Sequence, residues 1–239
     1  MTKYKHNFKI EIYADGADYK NFIELNKLSY IKGFTTNPSL LKKSGVKNYK
    51  LFAKDLLKVI KKPISFEVFA DEPKEIIEQA EEINSWGKNV FVKIPIVNTK
   101  NRSLVDVVDQ LLTKNIKCNV TAIFTIDKIL DLTKIVKKNK TEVIFSVFSG
   151  RIADTGIDPS IIISKAVQLT KKIKNIKILW ASTREVLNIY QANQSKCHII
   201  TVPTDMLKKL NFIGKDLSEF SLETVRDFYR DAQSSGLKI

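Results

Sequence analysis

The chain has 239 residues, 44% of them apolar and 28% charged, with a formal net charge of +14. That balance supports one large core and excludes an intrinsically disordered chain. No stretch approaches the ~20 apolar residues of a membrane-spanning helix, and residues 1–10 (MTKYKHNFKI) lack the apolar centre of a secretory signal. A soluble, cytoplasmic protein with no membrane partner is therefore expected.

Cys118 and Cys197 lie far apart, and neither they nor His6 and His198 show metal-ligand spacing, so no disulfide framework and no metal site is predicted. The positive charge invites a nucleic-acid reading, because basic proteins collect phosphates. Its distribution opposes that. The lysines are scattered over polar segments (LLKVIKKP, KIVKKNK, LTKKIKNIK) without interleaved stacking aromatics, and most read as solvated helix faces. No nucleic-acid partner is expected.

Short apolar, β-branched runs predict strands at 10–15 (IEIYAD), 31–35, 64–69 (ISFEVF) and 89–95 (NVFVKIP). Four more follow at 116–122 (IKCNVTA), 142–148 (EVIFSVF), 176–181 (IKILWA) and 198–203 (HIITVP). The intervening segments have helical periodicity, as in PKEIIEQAEEINSWG and SLVDVVDQLLTK. Strand alternating with helix requires parallel crossovers, so the pattern predicts an α/β fold: a single (β/α)8 TIM barrel, one domain over 1–239. The second unit is the weakest, since GFTTN leaves little room for a strand. Asn37-Pro38 and Asp158-Pro159 each place an N-cap before a first-turn proline, and Ser182 with Glu185 matches a capping box. After the eighth strand a short helix is expected near 204–210. An extra amphipathic C-terminal helix follows at 222–233 (LETVRDFYRDAQ), about 221–234 overall. Phe228 and Tyr229 on so charged a segment predict that it packs on the barrel or on a neighbouring subunit.

In the fourth run a single lysine, Lys93, stands among Val90, Phe91, Val92, Ile94, Pro95 and Ile96. Lysine is strongly hydrated and seldom fully buried without a partner. On an edge strand it snorkels to water. In an apolar site an amine loses the advantage of its charge and can attack a carbonyl to form a Schiff base. Other polar residues sit toward the C-terminal halves of their strands: Asp15, Glu67, Asn119, Thr121 and Ser146, with Arg151 after the sixth strand and Ser182 and Arg184 after the seventh. Barrels of this kind carry the active site on that face, and phosphate binds beside the seventh and eighth strands at a helix N-terminus. A lysine, two acids and several amides and hydroxyls on one rim favour the catalytic reading.

Six segments together, GFTTNPSLL (33–41), FEVFAD (66–71), FVKIPI (91–96), CNVTAIF (118–124), SVFSGRIADTG (146–156) and WASTRE (180–185), resemble the transaldolase family, including its short fructose-6-phosphate aldolase-like members. The resemblance spans nearly the whole chain in the same order. It implies a class I aldolase-type barrel with no metal and no organic cofactor, acting on sugar phosphates and assembling as a homo-oligomer. It also implies that Lys93 is the Schiff-base lysine, Asp15 the acid/base at the cleaved bond, and Glu67 with Thr121 the pair that handles a catalytic water. Asn37, Asn119 and Ser146 would hold substrate hydroxyls, and Ser182, Arg151 and Arg184 the phosphate. Phe148 would face the same pocket as Ser146.

Several of these residues have structural readings as well. Asn37 is also an N-cap, Ser182 half of a capping box, Arg151 a neighbour of Asp154 and Asp158, and Asp15 the residue before a turn glycine. At the level of function the expectation is transfer of a dihydroxyacetone unit between sugar phosphates. Release of free dihydroxyacetone is the alternative, and a basic binding or scaffold barrel without activity is the more distant one. Glu67, Asn119 and Phe148 favour transfer, because the aldolase relatives carry glutamine and tyrosine at the first and third of these positions.

Overall fold

In the computed structural model, which describes residues 8–236, the eight apolar runs form a closed barrel of parallel strands in chain order. Residues 1–7 and 237–239, with His6 and most of the segment read against a secretory signal, lie outside the described residues. The strands are β1 (Glu11–Asp15), β2 (Ile31–Thr35), β3 (Ile64–Glu67), β4 (Val90–Pro95), β5 (Cys118–Ile123), β6 (Val143–Val147), β7 (Ile176–Trp180) and β8 (Ile199–Pro203). The helices are α1 (Tyr19–Asn26), α2 (Pro38–Lys43), α3 (Tyr49–Val59), α4 (Pro73–Ser85), α5 (Val105–Thr113), α6 (Ile126–Val136), α7 (Ser149–Ala153), α8 (Pro159–Thr170), α9 (Leu187–Gln194), α10 (Thr204–Lys209) and α11 (Leu217–Ser235). The weak second unit is a full strand. Gly33 looks like a breaker in sequence, yet a Cβ there would lie 2.5 Å from the Tyr13 ring, so the neighbouring strand demands glycine.

Apolar side chains fall into two layers. Outward-facing residues such as Val90, Val92 and Ile94 of β4 join helix residues such as Ile76, Ala80 and Ile83 of α4 in the outer core. A second cluster fills the barrel's interior: Tyr13, Phe91, Ile144, Leu179, Ala181 and Ile199. Burial on both faces explains why the strands read as near-continuous apolar runs. Burying each large side chain is worth about 1.5–3 kcal/mol, so the strands are fixed from both sides.

Two caps form as read. Asn37 Oδ1 accepts from Leu40 N at 3.0 Å and Asp158 Oδ1 from Ser160 N at 2.9 Å. The Ser182–Glu185 capping box does not form. Ser182 has a left-handed backbone (φ 61°), α9 begins only at Leu187, and the amides of Arg184 and Glu185 donate instead to Asn188 Oδ1 at 2.9 and 3.2 Å. The cause lies in α7, where the Ser182 carbonyl comes so close to Gly150 that a Cβ there would be 1.6 Å from its oxygen. Packing of that loop on α7 thus fixes the Ser182 backbone against its local preference.

The C-terminal helix starts earlier than the sequence reading of about 221–234. Asp216 caps it, accepting from Ser218 N and Glu219 N, and Glu219 completes an Asp-x-x-Glu start signal three residues on. No residue of α11 is buried, so it does not pack along the barrel. It is tied down near its start, where Phe220 stacks on Phe212 and Lys215 sits over the Phe220 ring and pairs with Glu223.

Candidate active site

Side chains alternate along a strand, so residues two apart share a face. Going two residues up from the inner apolar cluster leads from Tyr13 to Asp15, from Phe91 to Lys93, from Ile144 to Ser146 and from Ile199 to Thr201. These polar residues belong to a cleft of about 470 Å³ at the C-terminal mouth. Asp15, Asn37, Glu67, Lys93, Asn119 and Thr121 all line it. So do Ser146, Phe148, Arg151, Ser182 and Arg184.

Lys93 is 6% exposed and is not left in purely apolar surroundings. Glu67 and Lys93 are register partners on β3 and β4, and Lys93 Nζ lies 2.9 Å from Glu67 Oε2. It also donates to the Thr36 carbonyl at 3.0 Å. Glu67 is itself fixed through its backbone, since Tyr49 Oη accepts from its N–H at 2.7 Å and donates to its carbonyl at 3.2 Å. An acid and an amine held this close can exchange a proton without rearrangement.

Asp15, the last residue of β1, lines the same cleft. Burial raises its carboxyl above the usual carboxylate range, with Glu67 adding to that, while Lys93 and a hydrogen bond from Thr35 oppose it. Thr35 Oγ1 donates to Asp15 Oδ1 at 2.7 Å and sits 2.5 Å from Thr201 Oγ1. With Asp15 ionised, the proton order runs from Thr201 to Thr35 to Asp15, a short relay aimed at the carboxylate. Thr35, Thr201 and Tyr49 were not singled out from the sequence. The two threonines carried a signal, being polar residues on the inward phase of β2 and β8. Tyr49 carried none.

Asn119 is fully buried between its neighbours, donating to Ser65 Oγ at 2.9 Å and accepting from Ser146 Oγ at 2.6 Å. Thr121 Oγ1 is buried and has no hydrogen-bond partner among the described residues. A buried orphan hydroxyl costs about 1–3 kcal/mol, so a group aimed into a cleft is placed for something that enters it. Ala122 beside it is left-handed (φ 58°), at the register shift between β5 and β6. This bulge re-aims the chain at the rim. On the far wall the Arg151 guanidinium lies 5.5 Å from the centre of the Phe148 ring, and Arg184 Nη2 pairs with Asp154 Oδ2 at 2.5 Å. Asp154 is thus engaged by Arg184.

The C-terminal mouth of this (β/α)8 barrel thus holds a buried lysine, two carboxylates and two arginines. A family model described as "Transaldolase/Fructose-6-phosphate aldolase" matches residues 12–239, and the chain belongs to that family. It is 31% identical over 215 residues to a "Probable transaldolase" of Methanococcus vannielii, covering 90% of this chain and 94% of the relative. It is 31% identical over 231 residues to a "Probable transaldolase" of Thermoanaerobacter sp. strain X514, covering 96% and 100%. Among solved structures, a "putative phosphonomutase" of Burkholderia cenocepacia J2315 shares the fold with a TM-score of 0.54 and 6% identity, over 95% of this chain and 93% of that one. Among the described residues no helix is long and apolar enough to cross a membrane.

Proposed function

We propose that the cleft catalyses Schiff-base transaldol transfer, moving a dihydroxyacetone unit from a ketose phosphate such as fructose 6-phosphate to an aldose phosphate. The observation that carries this reading is the Lys93–Glu67 contact at 2.9 Å on the floor of the cleft, with Asp15 alongside. Glu67 takes the ammonium proton, and the Lys93 amine adds to the ketose carbonyl to give a carbinolamine. Glu67 then returns a proton to the leaving hydroxyl, through a water for which the unpaired Thr121 hydroxyl offers a second contact. The iminium is an electron sink. Asp15 takes the proton of the C4 hydroxyl, the C3–C4 bond breaks, the aldehyde phosphate leaves, and the electron pair remains as an enamine on Lys93. An incoming aldehyde reverses these steps. Asn37, Asn119 and Ser146 hold hydroxyls, while Arg151, Arg184 and Ser182 meet the phosphate. Burial raises Asp15, which suits a group that must both accept and return a proton.

The test is borohydride reduction in the presence of fructose 6-phosphate followed by peptide mass mapping. A three-carbon adduct on Lys93 is expected; active protein labelled elsewhere, or not at all, refutes the mechanism.

A second copy of the chain is the proposed cover for α11. Leu217, Phe220, Val225 and Phe228 fall on one face at helical spacing and are all exposed. Sedimentation should show an oligomer that Phe228→Ser with Tyr229→Ser dissociates, and a monomeric wild type refutes this. A cytoplasmic setting suits the two free, buried cysteines, Cys118 and Cys197, whose thiols burial pushes upward.

A further inference from the structure

The opposite mouth of the barrel holds a second cavity, of about 380 Å³, that takes no part in the chemistry above. Lys61, Lys88, Lys117, Lys174 and Lys177 line it, against one acid in its wall, Glu142. They come from the entrances to β3, β4, β5 and β7, where the closed barrel draws distant segments together. In sequence these lysines are scattered. In space they ring one concavity.

Their partners show how much of this charge is spoken for. Lys177 pairs with Glu11 at 2.7 Å, Lys61 donates to the Leu57 carbonyl, and Lys117 donates to the Lys88 carbonyl while lying 4.9 Å from the Phe91 ring centre. The side chains of Lys88 and Lys174 are exposed and make no hydrogen bond or ion pair among the described residues. The floor is closed by Tyr13, Phe91 and Ile144, so the cavity is a cup and not a channel to the catalytic cleft. Solvated lysines with no common ligand gain by diverging; a ring of them on a concave wall focuses positive potential inward.

We propose that this cup binds a compact polyanion, a small molecule carrying two or more linked phosphate groups. Multiple charge is required because five lysines stand against two carboxylates, Glu142 in the wall and Glu11 on Lys177. The volume suits a small ligand and the concavity does not admit the backbone of a duplex, which favours a linked phosphate over a nucleic acid. The site is independent of the Schiff-base reading.

The probe is inorganic tripolyphosphate, titrated calorimetrically into the full chain at low ionic strength. Saturable binding at one site per chain is expected, weakened at least ~10-fold by Lys88→Gln with Lys174→Gln, the scale of two lost charged contacts. Both side chains are exposed and unpartnered, so the fold should survive, and circular dichroism checks this. Arg184→Ala, in the catalytic cleft, should leave the affinity unchanged, as should Lys43→Gln with Lys165→Gln on exposed helix positions. Loss of binding in Arg184→Ala alone would place the anion in the catalytic cleft and overturn the proposal. Equal weakening in both lysine pairs would reduce it to net charge, and tighter binding of duplex DNA at the same lysines would replace it with a nucleic-acid surface.

Discussion

The two mouths of the barrel are built from the same eight strands, one inward-facing residue apart, and treat charge in opposite ways. At the C-terminal mouth each cation named has an acid or an aromatic against it: Lys93 meets Glu67, Arg184 meets Asp154, and Arg151 lies over Phe148. At the other mouth cations outnumber acids, and the interior below is closed by Tyr13, Phe91, Ile144, Leu179 and Ile199. A buried charge is tolerated only when paired. The lower layer therefore supplies packing, and the upper layer holds paired polar and charged groups that packing alone would exclude.

The sharpest way to break this division is a pair of substitutions two residues apart on β4. Lys93→Met, close in volume, should abolish turnover, a loss of ~1,000-fold or more, while the barrel stays folded by circular dichroism. Phe91→Ala, one layer below, should cost about 3–5 kcal/mol in urea unfolding yet leave turnover per folded molecule nearly unchanged. If Phe91→Ala loses turnover as completely as Lys93→Met does, the two layers are not separable.

Asp15→Asn comes next. Removing the proposed acid/base should lower turnover by roughly 100- to 10,000-fold. Because burial raises the folded-state Asp15 above its unfolded value, protonation favours the folded state, and that contribution fades as pH rises through the raised value. The variant should therefore be more stable than the wild type above the ordinary carboxylate range, with the gap closing as pH falls. Urea midpoints measured at acidic and neutral pH check the sign, and a gap that widens on acidification would contradict the buried assignment. The acid limb of the wild-type rate profile should likewise lie above the ordinary carboxylate range.

The strands were legible in the sequence because burial on both faces leaves an apolar, β-branched run that needs no partner to be recognised. The candidate site was legible for a related reason: polar residues interrupt such runs where packing has no use for them. What could not be read depends on contact between distant segments. Gly33 answers to a ring on the neighbouring strand, Ser182 is held left-handed by Gly150, and the Tyr49 clamp on Glu67 joins a helix to a strand with no shared pattern. The lysine cup is the extreme case, since scattered charges become a cluster only after closure. The start of α11 was different: Asp216 and Glu219 signal it in the sequence, and the reading of about 221–234 began past that signal.

A smaller effect concerns the phosphate wall. Asn188 occupies the amides of Arg184 and Glu185, so in the proposed reaction a phosphate would be met by side chains and not by a helix N-terminus. The Arg184–Asp154 pair is about half exposed on both sides, and such pairs are worth roughly 0–1 kcal/mol, so Arg184 can exchange Asp154 for a phosphate at little cost. Arg184→Ala should weaken sugar-phosphate use by about 2 kcal/mol in kcat/KM and leave unphosphorylated ketoses almost untouched. Equal losses on both substrate types would remove Arg184 from the phosphate wall.

The smallest effect separates transfer from release. In the proposed reaction the enamine on Lys93 would be either captured by an aldehyde or protonated and hydrolysed, and hydrolysis needs a proton donor and a placed water near the Schiff base. Phe148 lines the cleft with Ser146, its ring beside Phe124 and under Arg151, and it offers neither. A tyrosine in that space would add a hydroxyl able to orient both. Phe148→Tyr should therefore shift partition toward free dihydroxyacetone. Since ~1.4 kcal/mol of differential barrier is a tenfold change, one added hydrogen bond in the hydrolytic transition state is enough to detect. The comparison is dihydroxyacetone formed from fructose 6-phosphate alone against sedoheptulose 7-phosphate formed when erythrose 4-phosphate is added. A wild type that already releases as fast as it transfers would make the aldolase reaction the native one and leave Phe148 as a wall of the cleft.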